Sequence, residues 1–154
     1  MTRLETLVPP LVWMVLGILI VAGVSATLDE QWLDGGAARV AALAFIVIGL
    51  GFLGSAVFGF GKAKTTVDPH SIARASTLVT GGVYRLTRNP MYLGMFCVVL
   101  AAGLGRGGFI ALVLGAASFV LVMTRLQILP EERMLTEIFG AEYTDFMASV
   151  RRWI

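Results

Sequence analysis

The chain has 154 residues, 57% of them apolar and 14% charged, with a formal charge of +2. A soluble domain carries about 25% charged residues, so this composition, with a mean hydropathy of +0.84, excludes an ordinary water-facing domain and points to lipid. No basic run interleaved with aromatics marks a nucleic-acid partner, one cysteine (Cys97) excludes an internal disulfide, and one histidine (His70) leaves no zinc-type ligand cluster.

Crossing a bilayer core takes roughly 20 helical residues. The first charge-free stretch predicts a span over about 7–28. Its Val24-Ser25-Ala26 end resembles a signal cleavage site, but Arg3 before it is offset by Glu5, so a retained helix is expected. Asp29, Glu30, Asp34 and Arg39 make the next link net acidic. A second span is predicted over about 40–61. It is rich in small residues (Gly49, Gly51, Gly54, Ser55, Ala56, Gly59, Gly61) that permit close helix approach. Lys62, Lys64, Arg74, Arg85 and Arg88 then face a single acid, Asp68, and basic links stay on the cytoplasmic side. The third apolar stretch, Met91–Gly105, predicts a short span over about 89–105. The link Leu104-Gly105-Arg106-Gly107-Gly108 predicts a tight hairpin into a fourth span over about 107–124. Even spans and a basic inner link place both termini in the cytoplasm of a multi-pass protein of the cell (inner) membrane.

The tail, 125–154, is patterned differently. Pro130 suits a first helical position, Glu131 and Glu132 follow, and Gly140 is a natural stop. Tyr143, Phe146, Met147 and Val150 repeat an amphipathic spacing. The fold expected is a single all-α integral membrane domain over 1–154, with four transmembrane helices and a C-terminal amphipathic cytoplasmic segment.

The densest cluster of polar chemistry runs from Gly81 to Gly94. Separately, its members have ordinary roles: Asn89-Pro90 starts a helix, Arg85 and Arg88 reach toward lipid phosphates, and Tyr92 sits at an interface. Together, two guanidiniums and two carboxylates meet at the cytoplasmic ends of the third and fourth helices, which the short hairpin makes neighbours. Ionisable groups held at a membrane boundary imply function. Such an array suits a ligand bearing both charge signs and an acceptor arriving from lipid.

Gly82-Val-Tyr-Arg-Leu-Thr-Arg-Asn-Pro-Met-Tyr-Leu-Gly94 resembles the G-x-Y-x-x-x-R-[HN]-P-x-Y-x-G signature of the isoprenylcysteine carboxyl methyltransferase and phospholipid methyltransferase superfamily. Glu131-Glu132-Arg-Met-Leu135 with Phe139-Gly140-Ala-Glu142-Tyr143 is similar to its second block, and Val150-Arg151-Arg152-Trp153 to the V-P-R-W ending of bacterial relatives. The resemblance covers about Thr80 to Trp153. It implies S-adenosyl-L-methionine as cofactor, a cytosol-facing cofactor site, and a lipid-soluble or amphiphilic acceptor drawn from the surrounding membrane lipids. By it, Tyr84, Arg88, Asn89, Pro90, Tyr92 and Gly94 line the cofactor pocket from one side, and Glu131 and Glu132 close it from the other. Arg88 and Arg152 are the candidate catalytic charges, and no metal is expected. Glu132 is expected to matter more for cofactor binding than for folding. Met147-Ala148-Ser149 stand where eukaryotic carboxyl methyltransferases carry basic residues, and Arg151 where a proline is usual. The expected acceptor is therefore not a prenylated protein terminus.

Two other readings fit parts of the pattern: an NAD(P)H-dependent membrane reductase of the steroid-reductase type, and a small non-enzymatic transporter or scaffold. The four predicted spans contain no Asp or Glu, which weighs against a transporter. The small-residue faces leave an oligomer open.

Overall fold

The computed structural model describes residues 8–28, 33, 35–63, 77–106 and 108–154. The loop charges Asp29, Glu30, Asp34, Lys64, Asp68 and Arg74, together with His70 and the leader residues Arg3 and Glu5, lie outside the described residues. All regular structure among the described residues is helical.

Helix α1 (Pro10–Thr27) opens on a proline, whose missing N–H costs nothing in a first turn. Helix α2 (Gly35–Ala63) has 29 residues and begins five before the predicted span. Arg39 ends the apolar run but not the backbone hydrogen bonding, since hydropathy reports the bilayer rather than the helix end. A 3₁₀ turn (Gly82–Arg85) leads to α3 (Pro90–Arg106), which turns back through Gly108 into α4 (Phe109–Met123). Gly82, at φ +60°, adopts the left-handed backbone that glycine alone enters freely.

The fourth helix does not stop where Pro130 suggests. The five residues Thr124–Ile128 form a π turn, and α5 (Leu129–Phe139) continues directly from it. A proline inside an α-helix clashes with the carbonyl four residues back. Here the Leu129 N–H bonds Thr124 O five residues back, so the widened turn accommodates Pro130 without a break. Gly140, at φ +55°, does end α5, and α6 (Ala141–Ser149) follows.

Helices α1, α2 and the continuous Phe109–Phe139 helix are long and apolar enough to cross a membrane; α3 is apolar but has 17 residues. Their outer faces carry exposed Leu11, Leu19, Val40, Val47, Leu50, Phe58 and Leu121, side chains that suit lipid and not water. This is a membrane protein.

Inside, α3 packs against α1, α2 and α4, and α1 against α4. The core is Tyr92, Met95, Val99, Phe119, Met123 and Ile128, with Trp13, Phe96 and Trp153 against it. Small residues set the closest approaches. A Cβ on Gly49 of α2 would lie 2.8 Å from Gly94 O of α3, and one on Gly94 would lie 2.8 Å from Gly49 O. A Cβ on Gly115 of α4 would instead run into the Val21 side chain of α1. Gly51, Gly54 and Gly61 have open space around them, so only part of the small-residue stripe serves helix packing.

Candidate functional site

The residues just before α3 meet α5 and the C-terminal tail through a continuous hydrogen-bond network. Three backbone-directed bonds tie the tail down: Arg88 N–H donates to Arg151 O at 3.0 Å, the Thr87 hydroxyl to Arg152 O at 3.1 Å, and Asn89 Nδ2 to Arg152 O at 2.9 Å. Thr87, fully buried, also accepts from Asn89 N–H at 3.1 Å. Trp153 then seats its ring near Phe96 and donates from Nε1 to the Thr124 hydroxyl at 3.2 Å. The tail thereby closes over the end of the bundle.

Arg88 reaches through this closure. Its Nη1 donates to Met147 O at 2.9 Å and Val150 O at 2.8 Å, and its Nη2 to Glu132 Oε1 at 2.7 Å. Arg152 adds bonds to Glu132 Oε1 at 3.0 Å and Oε2 at 2.7 Å. Glu132, 8% exposed, is thus gripped by two guanidiniums. Burial disfavours its charge, but the bonds from Arg152 and Arg88 outweigh that and hold its carboxyl below the usual value. Arg152, in turn, is held more firmly protonated by the bond to Glu132.

Glu131 stands in a different setting. Its Oε1 accepts from the Tyr92 hydroxyl at 2.5 Å and from Gln127 Nε2 at 2.6 Å. Burial pushes its carboxyl up to about 7; the two donors lower it only in part, and the neighbouring Glu132 charge raises it again. Two adjacent carboxylates therefore have opposite tendencies, one fixed as an anion and one poised near neutrality. Such divergence of paired groups is a mark of functional sites.

The other predicted residues distribute as follows. Tyr84 is buried against Phe60, Tyr143 and Phe146, and its hydroxyl is raised by burial and by the Glu131 charge. Pro90 is fully buried at the start of α3. Asn89 spends its amide N–H on the tail. Gly94 faces Gly49 and Leu53 of α2, so its lack of a side chain serves helix contact. Arg85, the second guanidinium expected beside Arg88, is exposed; Arg152 takes that place. Ser149, at the position of interest for acceptor choice, bonds the Phe146 carbonyl. Gln127 and Thr87 join the network from outside the predicted set. The signal for Gln127 is an amide at the end of an apolar run, four residues before Glu131, a spacing that stacks two side chains on one helix face.

Two buried polar atoms in this network have no partner, Arg88 Nε and Gln127 Oε1. One is a donor on a cation and the other an acceptor beside a carboxylate. Buried polar groups are ordinarily bonded, so these two atoms are the places where the network is incomplete. No group of acidic, histidine or cysteine side chains able to hold a metal occurs among the described residues.

Residues 37–142, more than half of the chain, match the family model of the phospholipid methyltransferases. The chain is 28% identical over 115 residues to a Schizosaccharomyces pombe protein-S-isoprenylcysteine O-methyltransferase, covering 73% of this chain and 47% of that protein. It is 31% identical over 111 residues to Arabidopsis thaliana protein-S-isoprenylcysteine O-methyltransferase A, covering 70% and 54%. An uncharacterized Haemophilus influenzae protein is 41% identical over 64 residues, 42% of this chain and all of its own length. The chain spans about half the length of the two named relatives, and no solved structure matches it significantly. With both motif blocks joined in one buried network and the family model covering most of the helical bundle, the chain belongs to the phospholipid methyltransferase family.

Proposed function

We propose that the protein transfers a methyl group from S-adenosyl-L-methionine to a lipid-soluble or amphiphilic acceptor at the cytoplasmic face of the membrane. The observation that carries this reading is the convergence of Arg88 and Glu132 at 2.7 Å, from residues 44 positions apart, with two buried polar atoms of opposite kind, Arg88 Nε and Gln127 Oε1, left unpartnered in the same network. The cofactor has an α-carboxylate, an α-ammonium, a ribose diol and an adenine. Arg88 Nε–H suits the carboxylate, and Glu131 and Gln127 suit N–H or O–H donors. The residues present therefore fit the group. Bound there, it would supply an electrophilic methyl on a sulfonium. The protein's own contribution is positioning and dryness: Arg88 and Arg152 fix Glu132, Tyr92 and Gln127 fix Glu131, and Trp153 and Phe96 shut the end of the bundle.

The acceptor reading follows from the lipid-facing apolar helices and from Ser149, which presents no cation where the eukaryotic carboxyl methyltransferases carry a basic residue. Titration calorimetry in detergent is expected to show binding of S-adenosylhomocysteine and none of NADPH, and labelled methyl groups are expected to pass to a component of membrane lipid extracts. A farnesylcysteine analogue is expected to be a poor acceptor. Tight NADPH binding without S-adenosylhomocysteine binding would replace this reading with the reductase one.

The site faces the cytoplasm if four helices cross. The Phe109–Phe139 helix has 31 residues. At about 1.5 Å per residue it is about 46 Å long, more than a core of about 30 Å needs, so its Glu131–Phe139 end emerges from the bilayer. The α3–α4 hairpin then lies outside the cell and α6 inside. A cysteine reporter at Arg106 is expected to react with an impermeant reagent added outside intact cells, and one at Glu142 only after lysis. Outside labelling at Glu142 would reverse the orientation.

A further inference from the structure

We infer that Gln127, which neither motif block contains, is a further cofactor-binding residue, its amide oxygen accepting a hydrogen bond from the α-ammonium group of the bound ligand. The inference rests on the S-adenosylmethionine reading above. Gln127 is fully buried, in the π turn within the continuous Phe109–Phe139 helix. Its Nε2–H is committed to Glu131 Oε1 at 2.6 Å, and the carboxylate decides which end of the amide is which, because an acceptor must face N–H. Oε1 shares a carbon with Nε2, so it lies beside the Glu131 carboxylate, buried and without a partner. An unpaired acceptor in a dry site costs free energy unless a ligand supplies the donor.

The neighbourhood selects that donor. The groups acting on Glu131 are Tyr92, Gln127 and Glu132, none of them basic. The two protein cations nearby are spent on Glu132. What this corner lacks is positive charge with several N–H donors, which describes an ammonium better than an adenine amine. The π turn is the device that presents the group. It absorbs Pro130 so that the helix runs on, keeping Gln127 and Glu131 on one face, four residues apart.

The test is calorimetric titration of wild type and Gln127→Met with S-adenosylhomocysteine and with its analogue lacking the α-amino group. Wild type is expected to bind the deaminated analogue roughly ten- to hundred-fold more weakly. Gln127→Met, which keeps shape but removes the amide, is expected to lose a similar factor for S-adenosylhomocysteine and to discriminate little between the two ligands, since the lost contact is shared. Full affinity in the variant, or undiminished discrimination, overturns the inference alone. Failure of wild type to bind S-adenosylhomocysteine overturns the cofactor reading and this inference with it. If the methionine variant does not fold, Gln127→Asn draws the oxygen back by one carbon and is expected to show the same loss of discrimination; retained discrimination there overturns the assignment.

Discussion

Glu132→Gln is expected to lower the stability of the ligand-free protein as well as its affinity for S-adenosylhomocysteine. The sequence alone suggests an acid at a helix start, worth at most about 1 kcal/mol through the helix dipole. Its surroundings say otherwise. Glu132 accepts three bonds from Arg88 and Arg152, and the Arg88 side chain is 9% exposed. An amide keeps an acceptor for one guanidinium but cannot balance two cations. Removing one partner of a buried charge pair costs about 3–5 kcal/mol. With Arg152 partly exposed and Arg88 still bonded to two carbonyls, a loss of about 2–3 kcal/mol is expected for Glu132→Gln.

The pH dependence has a defined sign. Pairing holds the folded carboxyl of Glu132 below its ordinary 4.5, so its contribution is fully present above that pH and is lost as pH falls through the folded value. Thermal unfolding in detergent at several pH values should show wild type more stable than the variant at pH 7, with the gap closing as pH falls below 4.5. Equal ligand-free stability at pH 7 would return Glu132 to a purely ligand-binding role.

Gly94→Ala is expected to destabilise the bundle by about 1–3 kcal/mol, as overpacking does, and Gly49→Ala to do the same from the opposite helix. Each new methyl would sit 2.8 Å from a backbone carbonyl of the other helix, and backbone, unlike a side-chain tip, cannot step aside. Helices α2 and α3 would have to separate, carrying Arg88 and Asn89 away from α5 and the tail. Both variants should therefore show lower melting temperatures and weaker S-adenosylhomocysteine binding, and the double variant less than the sum, because the two methyls relieve one contact. A Gly94→Ala protein of unchanged melting temperature but lost affinity would place that glycine against the ligand instead of against α2.

Residue order alone made the class of protein and the two motif blocks legible, but not the parts played by Gln127 and Thr87 or the pairing of Arg152 with Arg88 on one carboxylate. Four apolar stretches separated by charged links can be read without coordinates because lipid tolerates few charges, and hydropathy records that constraint residue by residue. Helix ends were less legible where polarity and hydrogen bonding part company, as at Gly35, and where proline normally signals a break, as at Pro130. Only tertiary structure decided partnership. Arg85 and Arg88 look equivalent in sequence, yet one is exposed and the other threads the closure between α3, α5 and the tail. Glu131 and Glu132 are adjacent and identical, yet about 100° apart around the helix. One therefore meets two guanidiniums, while the other meets a tyrosine and an amide. Their charges diverge for that reason, and no linear pattern carries it.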